Sequence, residues 1–326
     1  MTRVGRIHAL QQSRKARSPS VIEDCWGLRT VAGLEIVTAK IFDSVPWVVH
    51  GFSTRKDGVS QSNRAALNLG SKDWDPTQAV TRNRNAFLRV VLDSRSESNR
   101  RANSEIEESL ITLRQIHSDV VHIFEKAPLE APQGDAALCR RTGLLLGIET
   151  ADCVPILLAD PRERVVGAVH AGWRGTLARI VAKTIGRMRL EFGTLPEDVI
   201  AALGPAIGLC CYEVGPEVAQ AFSAQFSRAA EWFAGPFERL ATGEEPNPLP
   251  WLTMMPPGHE PPPERVRLDL RAANRWQLME AGLKAQNIAV SALCTGCRSD
   301  LFFSYRKEGA GTGRMMSVIG IASRRR

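Results

Sequence analysis

The sequence predicts a layered α/β protein, an α+β arrangement in a single large domain whose central sheets are flanked by helices. Three observations lead there. Short apolar runs of strand length alternate along the chain with longer stretches of helical periodicity. The 326 residues, 44% of them hydrophobic, are enough to bury a sizeable core. No apolar run reaches the about 18 residues that would span a membrane, and residues 1–20 lack the apolar centre of a secretory signal, so the protein is expected in the cytoplasm.

The chain opens with an extension over residues 1–40, and the domain is expected to run from 41 to 323. Arg3, Arg6, Arg14, Lys15 and Arg17 lie in the first twenty residues, and Arg324, Arg325 and Arg326 close the chain. The formal net charge of +7 resides in these tails, because basic and acidic residues nearly balance once they are set aside. Solvated ends explain such a distribution better than a nucleic-acid-binding face does.

Within the domain, strand-like runs occupy 47–52, 120–124, 144–148, 154–159, 165–170, 199–203, 288–293 and 316–322, and helical stretches occupy 76–92, 175–192, 215–226 and 271–286. The run 165–170 is continuously apolar up to its last residue, as a buried strand is, and Ala171-Gly172-Trp173-Arg174-Gly175-Thr176 then opens a helical pattern. The helix at 271–286 has an apolar face and a capping residue, Asp269, just ahead of it. Two inserts interrupt this order: a polar one at 94–108 and a proline-rich one at 246–263. Nine of the nineteen prolines fall between 236 and 263, which favours an irregular, extended excursion over helix or strand. Both inserts and the basic N-terminal stretch are expected to be mobile.

Three residues carry the chemistry. His117 lies in Arg-Gln-Ile-His117-Ser-Asp, Cys153 in Thr-Ala-Asp152-Cys153-Val-Pro, and His170 in Ala-Val-His170-Ala-Gly-Trp-Arg174-Gly. Two imidazoles and a thiolate make a three-coordinate zinc site with a fourth position open, the pattern of a catalytic zinc. Asp152 and Cys153 form a polar break between the runs 144–148 and 154–159, and His170 sits where a strand gives way to a helix. Strand ends are where sites are built. The remaining cysteines read differently. Seven of them at irregular spacing suit a reducing compartment rather than a disulfide framework. Cys294-Thr-Gly-Cys297 has the spacing of a metal or redox pair, but no second Cys-x-x-Cys completes a four-thiolate site and no helical pattern follows it, so a structural role is expected. Cys210-Cys211, after the apolar run 199–203, reads as packing.

A further set of motifs runs in one order from about residue 46 to residue 320: His50-Gly-Phe-Ser-Thr-Arg55, Asn68-Leu-Gly, Gln115-Ile-His117, Gly134-Asp135-Ala136, Ala151-Asp152-Cys153-Val-Pro155, His170-Ala-Gly-Trp-Arg174-Gly175, Gly204-Pro205-Ala-Ile-Gly-Leu-Cys210-Cys211-Tyr212-Glu213-Val214, Phe302-Phe-Ser-Tyr-Arg306 and Thr312-Gly-Arg314. On these the chain resembles the YfiH or laccase-domain family, once described as multicopper polyphenol oxidases and now regarded as zinc-dependent purine nucleoside phosphorylases with adenosine deaminase activity. The resemblance implies a cysteine-hydrolase-like fold related to a deamidating toxin. It also implies that His117, Cys153 and His170 bind one zinc ion, and that Arg55 faces a polar pocket. His50 and Asn68 fall near the site in the family pattern without an assigned role. One departure stands out, since the family follows its arginine with a residue and two glycines and this chain has Arg55-Lys56-Asp57-Gly58. An aspartate can take the left-handed backbone that the first glycine would supply.

The expected chemistry follows. Zinc lowers the pKa of a water towards about 7, which suits deamination with Asp152 shuttling protons; capping a turn or orienting a ligand histidine is an equal alternative for Asp152. For phosphorolysis of adenosine, inosine, guanosine or methylthioadenosine, phosphate is the co-substrate, with Arg55 expected to bind it and Arg174 a second candidate. Three other readings stand beside this one. A laccase needs several coppers and many clustered histidines, whereas the chain has six, two of which, His8 and His259, lie in the appendages. A cysteine hydrolase or amidase would use Cys153 as nucleophile and His170 as its base. A non-enzymatic binding protein would work through the basic tails or the proline-rich excursion.

Overall fold

Strands that are apolar without interruption need cover on both faces, and the fold supplies it with two stacked sheets and helices outside each. The computed structural model describes residues 25–60, 67–93, 109–235 and 265–322. The basic N-terminal stretch, the polar insert 94–108 and the proline-rich insert 246–263 lie outside the described residues.

In chain order the elements are β1 (Trp26–Val31), β2 (Leu34–Ala39), β3 (Val48–Ser53), α1 (Thr77–Asp93), β4 (Leu110–Ile111), β5 (Val121–Phe124), β6 (Ala136–Cys139), β7 (Leu145–Thr150), β8 (Val154–Asp160), β9 (Val165–Ala171), α2 (Trp173–Leu177), α3 (Ile180–Phe192), β10 (Ile200–Leu203), β11 (Glu213–Val214), α4 (Pro216–Gln225), β12 (Phe233–Ala234), β13 (Val266–Leu268), α5 (Leu270–Glu280), β14 (Ile288–Val290), α6 (Tyr305–Glu308) and β15 (Met315–Ile321). One six-stranded sheet has the order β1-β2-β3-β15-β7-β4 and the other β14-β10-β8-β9-β6-β5, with a small sheet β11-β13-β12 beside them.

Side-chain alternation sorts the layers. In β8, Val154, Ile156 and Leu158 join the cluster that also holds Ile180, Val181 and Ile185 of α3 and Leu270, Ala273 and Leu278 of α5, while Leu157 and Ala159 join the cluster shared with Leu146 and Ile148 of β7 and Ile319 of β15. In β15 the other face, Met316 and Val318, meets Phe87, Leu88 and Val91 of α1. The order of layers is therefore α1, first sheet, second sheet, then α2 to α5. Phe52 lies in the seam between the sheets with Trp26 against it, ring centroids 5.4 Å apart.

Each of the strand-like runs read from the sequence corresponds to a strand, and each helical stretch to a helix. Two differences have local causes. Residues 26–39, assigned to an N-terminal extension, form the β1–β2 hairpin of the first sheet; it turns at Ala32 and Gly33, both with positive φ, the backbone a two-residue hairpin turn requires. The helical pattern of 175–192 is split into α2 and α3 at Arg179, whose φ of 61° is left-handed and whose guanidinium lies 4.8 Å from the Phe226 ring centroid. Asp57 has the left-handed backbone expected of it, with φ of 66°.

Candidate metal centre

Four neighbouring strands of the second sheet bring the chemistry to one edge. β5 and β6 run parallel, while β9 pairs antiparallel with both β6 and β8. The segments entering β5, β6 and β8 and the segment leaving β9 therefore share an edge. His117 precedes β5, Asp135 immediately precedes β6, Cys153 immediately precedes β8, and His170 is the penultimate residue of β9. Residues distant in sequence thus meet without any long loop to place them.

The donor atoms of His117, Cys153 and His170 all lie within 4.8 Å of one another, with Cys153 Sγ 3.8 Å from His117 Nε2. His170 is buried and His117 exposed, so the cluster is rooted in the sheet and open to solvent on one side. The three residues expected from the sequence to hold a metal are thus together. A thiolate and two imidazoles are the borderline-soft donor set that zinc accepts, so the residues fit the ion that the resemblance implies. They do not fit a multicopper centre. Among the described residues the other histidines are elsewhere: His50 is buried in β3, where its Nε2 accepts the Ala39 amide at 2.9 Å, and His122 Nε2 lies 2.7 Å from the Gln133 carbonyl oxygen.

Asp135 organises the cluster. It is fully buried, and Oδ1 accepts from His170 Nδ1 at 2.8 Å and from the His117 amide at 3.0 Å. Oδ2 accepts from the Ser118 amide at 2.6 Å and hydroxyl at 2.7 Å, and from the Ile116 amide at 3.2 Å. Burial alone would raise this carboxyl, but the hydrogen bonds from His170 and Ser118 outweigh it and hold the pKa at about 2. An ionised carboxylate only accepts, so the His170 Nδ1 carries the proton and Nε2 is left to face the cluster. The same carboxylate holds the His117 loop, whose backbone is left-handed with φ of 59°. Gly172 completes the wall: a Cβ there would stand 2.9 Å from His117 Cδ2 and 3.0 Å from Cys153 Sγ.

Electrostatics tie Cys153 to its neighbours. Burial pushes its thiol up, but the charge of His170 and hydrogen bonds from His117 and His170 bring it well below the ordinary thiol value. His170 moves the opposite way: burial opposes protonation, and the Cys153 thiolate and Asp135 overcome it. A metal ion binding here would displace the proton shared by this pair, so metal affinity falls with acidity.

The cluster lies in a cleft of about 790 Å³. Among the described residues, Arg84, Arg114, Arg174, Arg306 and Arg314 line it, with Glu149 and Asp152 as its carboxylates, together with Trp173, Tyr212 and Tyr305. Both tyrosines of the chain are in this set. Arg84 pairs with Glu149 at 2.7 Å, and Arg174 lies over the Trp173 ring at 4.3 Å. Asp152, expected as a proton shuttle, lines the cleft with a strained backbone, φ of 96°. Its carboxylate accepts from Thr295 Oγ1 at 2.6 Å and from the Arg306 amide at 2.7 Å.

Arg55 is a correction. Expected to face the site and bind phosphate, it is absent from the residues lining the cleft; its Nη1 donates to the Ser299 and Phe302 carbonyls at 2.8 and 3.3 Å and to Glu308 at 2.6 Å, and the guanidinium lies over Phe303 at 4.6 Å. Its Nη1 group is committed to closing the loop ahead of α6. Asn68 is likewise a loop organiser, donating to Asp75 at 2.6 Å and accepting the Arg314 amide at 2.8 Å. Asp135, Tyr212, Tyr305 and Arg314 all sit within motifs that carry the resemblance, but nothing in their local sequence states their role.

Comparison with known proteins gives a consistent answer. The family described as multi-copper polyphenol oxidoreductase laccase matches residues 49–322. A purine nucleoside phosphorylase of Deinococcus radiodurans is 37% identical over 281 residues, covering 85% of this chain and 90% of its own. The adenosine deaminase RL5, from an unknown prokaryotic organism, is 34% identical over 239 residues, covering 70% and 81%. Among solved structures, the hypothetical protein YfiH of Bacillus licheniformis superposes with a TM-score of 0.73 at 29% identity, covering 90% of this chain and 98% of its own.

Proposed function

Because this chain belongs to the family described as multi-copper polyphenol oxidoreductase laccase, whose relatives bear the names of nucleoside enzymes, we propose that it is a zinc-dependent purine nucleoside phosphorylase with adenosine deaminase activity. Its substrates are purine nucleosides such as adenosine, inosine, guanosine and methylthioadenosine, with phosphate as co-substrate. The observation that carries this reading is the meeting of His117, Cys153 and His170 in a cleft that five arginines and three aromatic side chains line.

His117, Cys153 and His170 would hold the zinc ion, which when bound supplies Lewis acidity towards a water or substrate oxygen. The arginines bring an anion to the cleft, and a guanidinium offers two parallel donors to phosphate oxygens. Arg174 is the residue we assign to phosphate, with Arg306 and Arg314 nearby. Trp173, Tyr212 and Tyr305 offer flat faces to a purine. In phosphorolysis a phosphate oxygen bonds to the anomeric carbon, and the base departs with the glycosidic electron pair and takes up a proton. In deamination water adds to the purine carbon and ammonia leaves. Asp152, with both oxygens hydrogen-bonded to Thr295 and Arg306, is assigned to positioning Arg306 and the neighbouring Cys153 rather than to proton transfer.

The test is incubation of the purified chain with adenosine, with and without phosphate. Adenine and ribose 1-phosphate appearing only with phosphate, and inosine appearing without it, are the expected products; a zinc-loaded protein yielding neither overturns the substrate assignment. Arg174→Ala is expected to raise the KM for phosphate about 10- to 100-fold, the equivalent of one lost charge-assisted hydrogen bond. Arg55→Ala should lower the unfolding temperature while leaving that KM unchanged. Steady-state phosphate titrations of both variants separate the two arginines.

A second reading has its own support. Cys153, His170 and Asp135 form a thiolate, imidazolium and carboxylate series of the kind a cysteine hydrolase uses. His117 stands against it, since a thiol hydrolase has no use for a second imidazole 3.8 Å from its nucleophile. Full activity on a peptide or amide substrate in excess chelator would favour this reading over the nucleoside enzyme.

A further inference from the structure

We propose that Cys210, Cys211, Cys294 and Cys297 form a second metal centre, a four-thiolate site for a soft divalent ion of the zinc class. The sequence has one Cys-x-x-Cys pair, whereas four-thiolate sites commonly use two. The fold supplies the missing pair as two adjacent cysteines. All four sulfurs lie within 4.8 Å of one another, Cys210 Sγ being 3.3 Å and Cys211 Sγ 3.5 Å from Cys297 Sγ. A tetrahedral ion with metal–sulfur bonds of about 2.3 Å sets its ligands about 3.8 Å apart. The two short separations lie within a few tenths of an ångström of that value, and a disulfide would engage only two of the four sulfurs at a time.

The surroundings are built for the cluster. Two loops are laced side by side by a parallel bridge between Ala206 and Cys294 and by the Thr295 amide donating to the Ala206 carbonyl at 3.1 Å. Each closes a turn at its cysteines: the Cys211 amide donates to the Gly208 carbonyl and the Arg298 amide to the Cys294 carbonyl, both at 2.9 Å. The Gly208 amide donates to Cys294 Sγ at 3.2 Å, a bond that favours the thiolate. Both loops carry a glycine where a side chain would intrude. A Cβ at Gly296 would stand 3.1 Å from Cys211 Sγ, and one at Gly208 would stand 3.3 Å from Cys210 Sγ. Cys294 is buried while Cys210 and Cys297 are exposed, which leaves an entry path from solvent.

The second centre braces the first. Thr295, inside the Cys-x-x-Cys loop, donates to Asp152 Oδ1, and the Ile207 amide on the other loop donates to the Asp152 carbonyl at 2.9 Å. Asp152 adjoins Cys153, and Tyr212, which follows Cys211, lines the cleft. Fixing the two loops together therefore fixes one wall of the cleft.

Metal content of the full chain, purified under reducing, zinc-replete conditions, tests this. About two equivalents of zinc are expected in the unaltered chain, about one in Cys297→Ser and about one in His117→Ala. Cys297 is exposed, so its loss leaves the core intact. A Cys297→Ser chain with as much zinc as the unaltered one overturns the proposal, as does a single equivalent that His117→Ala removes. Cobalt loaded into His117→Ala gives an independent reading: strong sulfur-to-cobalt charge transfer with tetrahedral d–d bands is expected, and their absence overturns it. Mass mapping that finds a disulfide among the four cysteines in the reduced preparation overturns it as well.

Discussion

His170→Ala is expected to empty the main metal centre and to cut both nucleoside phosphorolysis and adenosine deamination by at least about 10³-fold. Lewis-acid stabilisation amounts to several kcal/mol, and each about 1.4 kcal/mol is tenfold in rate. His170 is the buried member of the ligand set, held through Nδ1 by Asp135, so no neighbouring side chain can take its place. Turnover and zinc content measured together give the result its meaning. A variant that keeps zinc and turnover overturns the ligand assignment. His117→Ala separates the two readings of the site: the zinc enzyme loses activity with it, whereas a Cys153–His170 hydrolase keeps its nucleophile and base.

Asp135→Asn is expected to weaken zinc binding at that centre about 10- to 100-fold, the usual consequence of removing the carboxylate behind a ligand histidine. It should also cost about 3 kcal/mol of stability or more, because a buried acceptor is replaced in part by a donor facing other donors. Asp135 gathers the amides of Ile116, His117 and Ser118 as well as His170, so both ligand histidines lose their support at once. Chelator competition reads the affinity, and denaturation in excess chelator reads the fold without the metal's contribution. Unchanged zinc affinity would mean that the His170 ring is oriented by its strand alone.

Much of this was legible in the sequence where burial is two-sided. The runs in β7, β8, β9 and β15 are largely apolar because each lies between two cores, and such runs announce themselves. The β1–β2 hairpin did not: β1 is largely exposed, with Leu28, Arg29 and Thr30 facing outward, so its sequence lacks the apolar continuity that marks the other strands. The three candidate metal ligands could be read from their residue types and from their places at turns or strand ends. Arg55 was misassigned because its partners, Ser299, Phe302 and Glu308, lie more than 240 residues away. Local sequence says what a guanidinium can bind, not what reaches it first. The four-cysteine cluster escaped notice for the same reason, since its two halves lie more than 80 residues apart and are brought together by long-range contacts such as the bridge between Ala206 and Cys294.

The shared sheet edge also links metal capture to strand registration. The three ligands span residues 117 to 170 and converge only once β5, β6, β9 and β8 are paired in register. A slip of one residue between β8 and β9 would carry Cys153 about 3.3 Å along the strand and turn its side chain to the opposite face. Binding of one ion by all three residues and correct registration of these strands are therefore linked, each favouring the other. Capture of an ion by all three residues at once would thus serve as a readout of strand registration in the second sheet, independent of any activity.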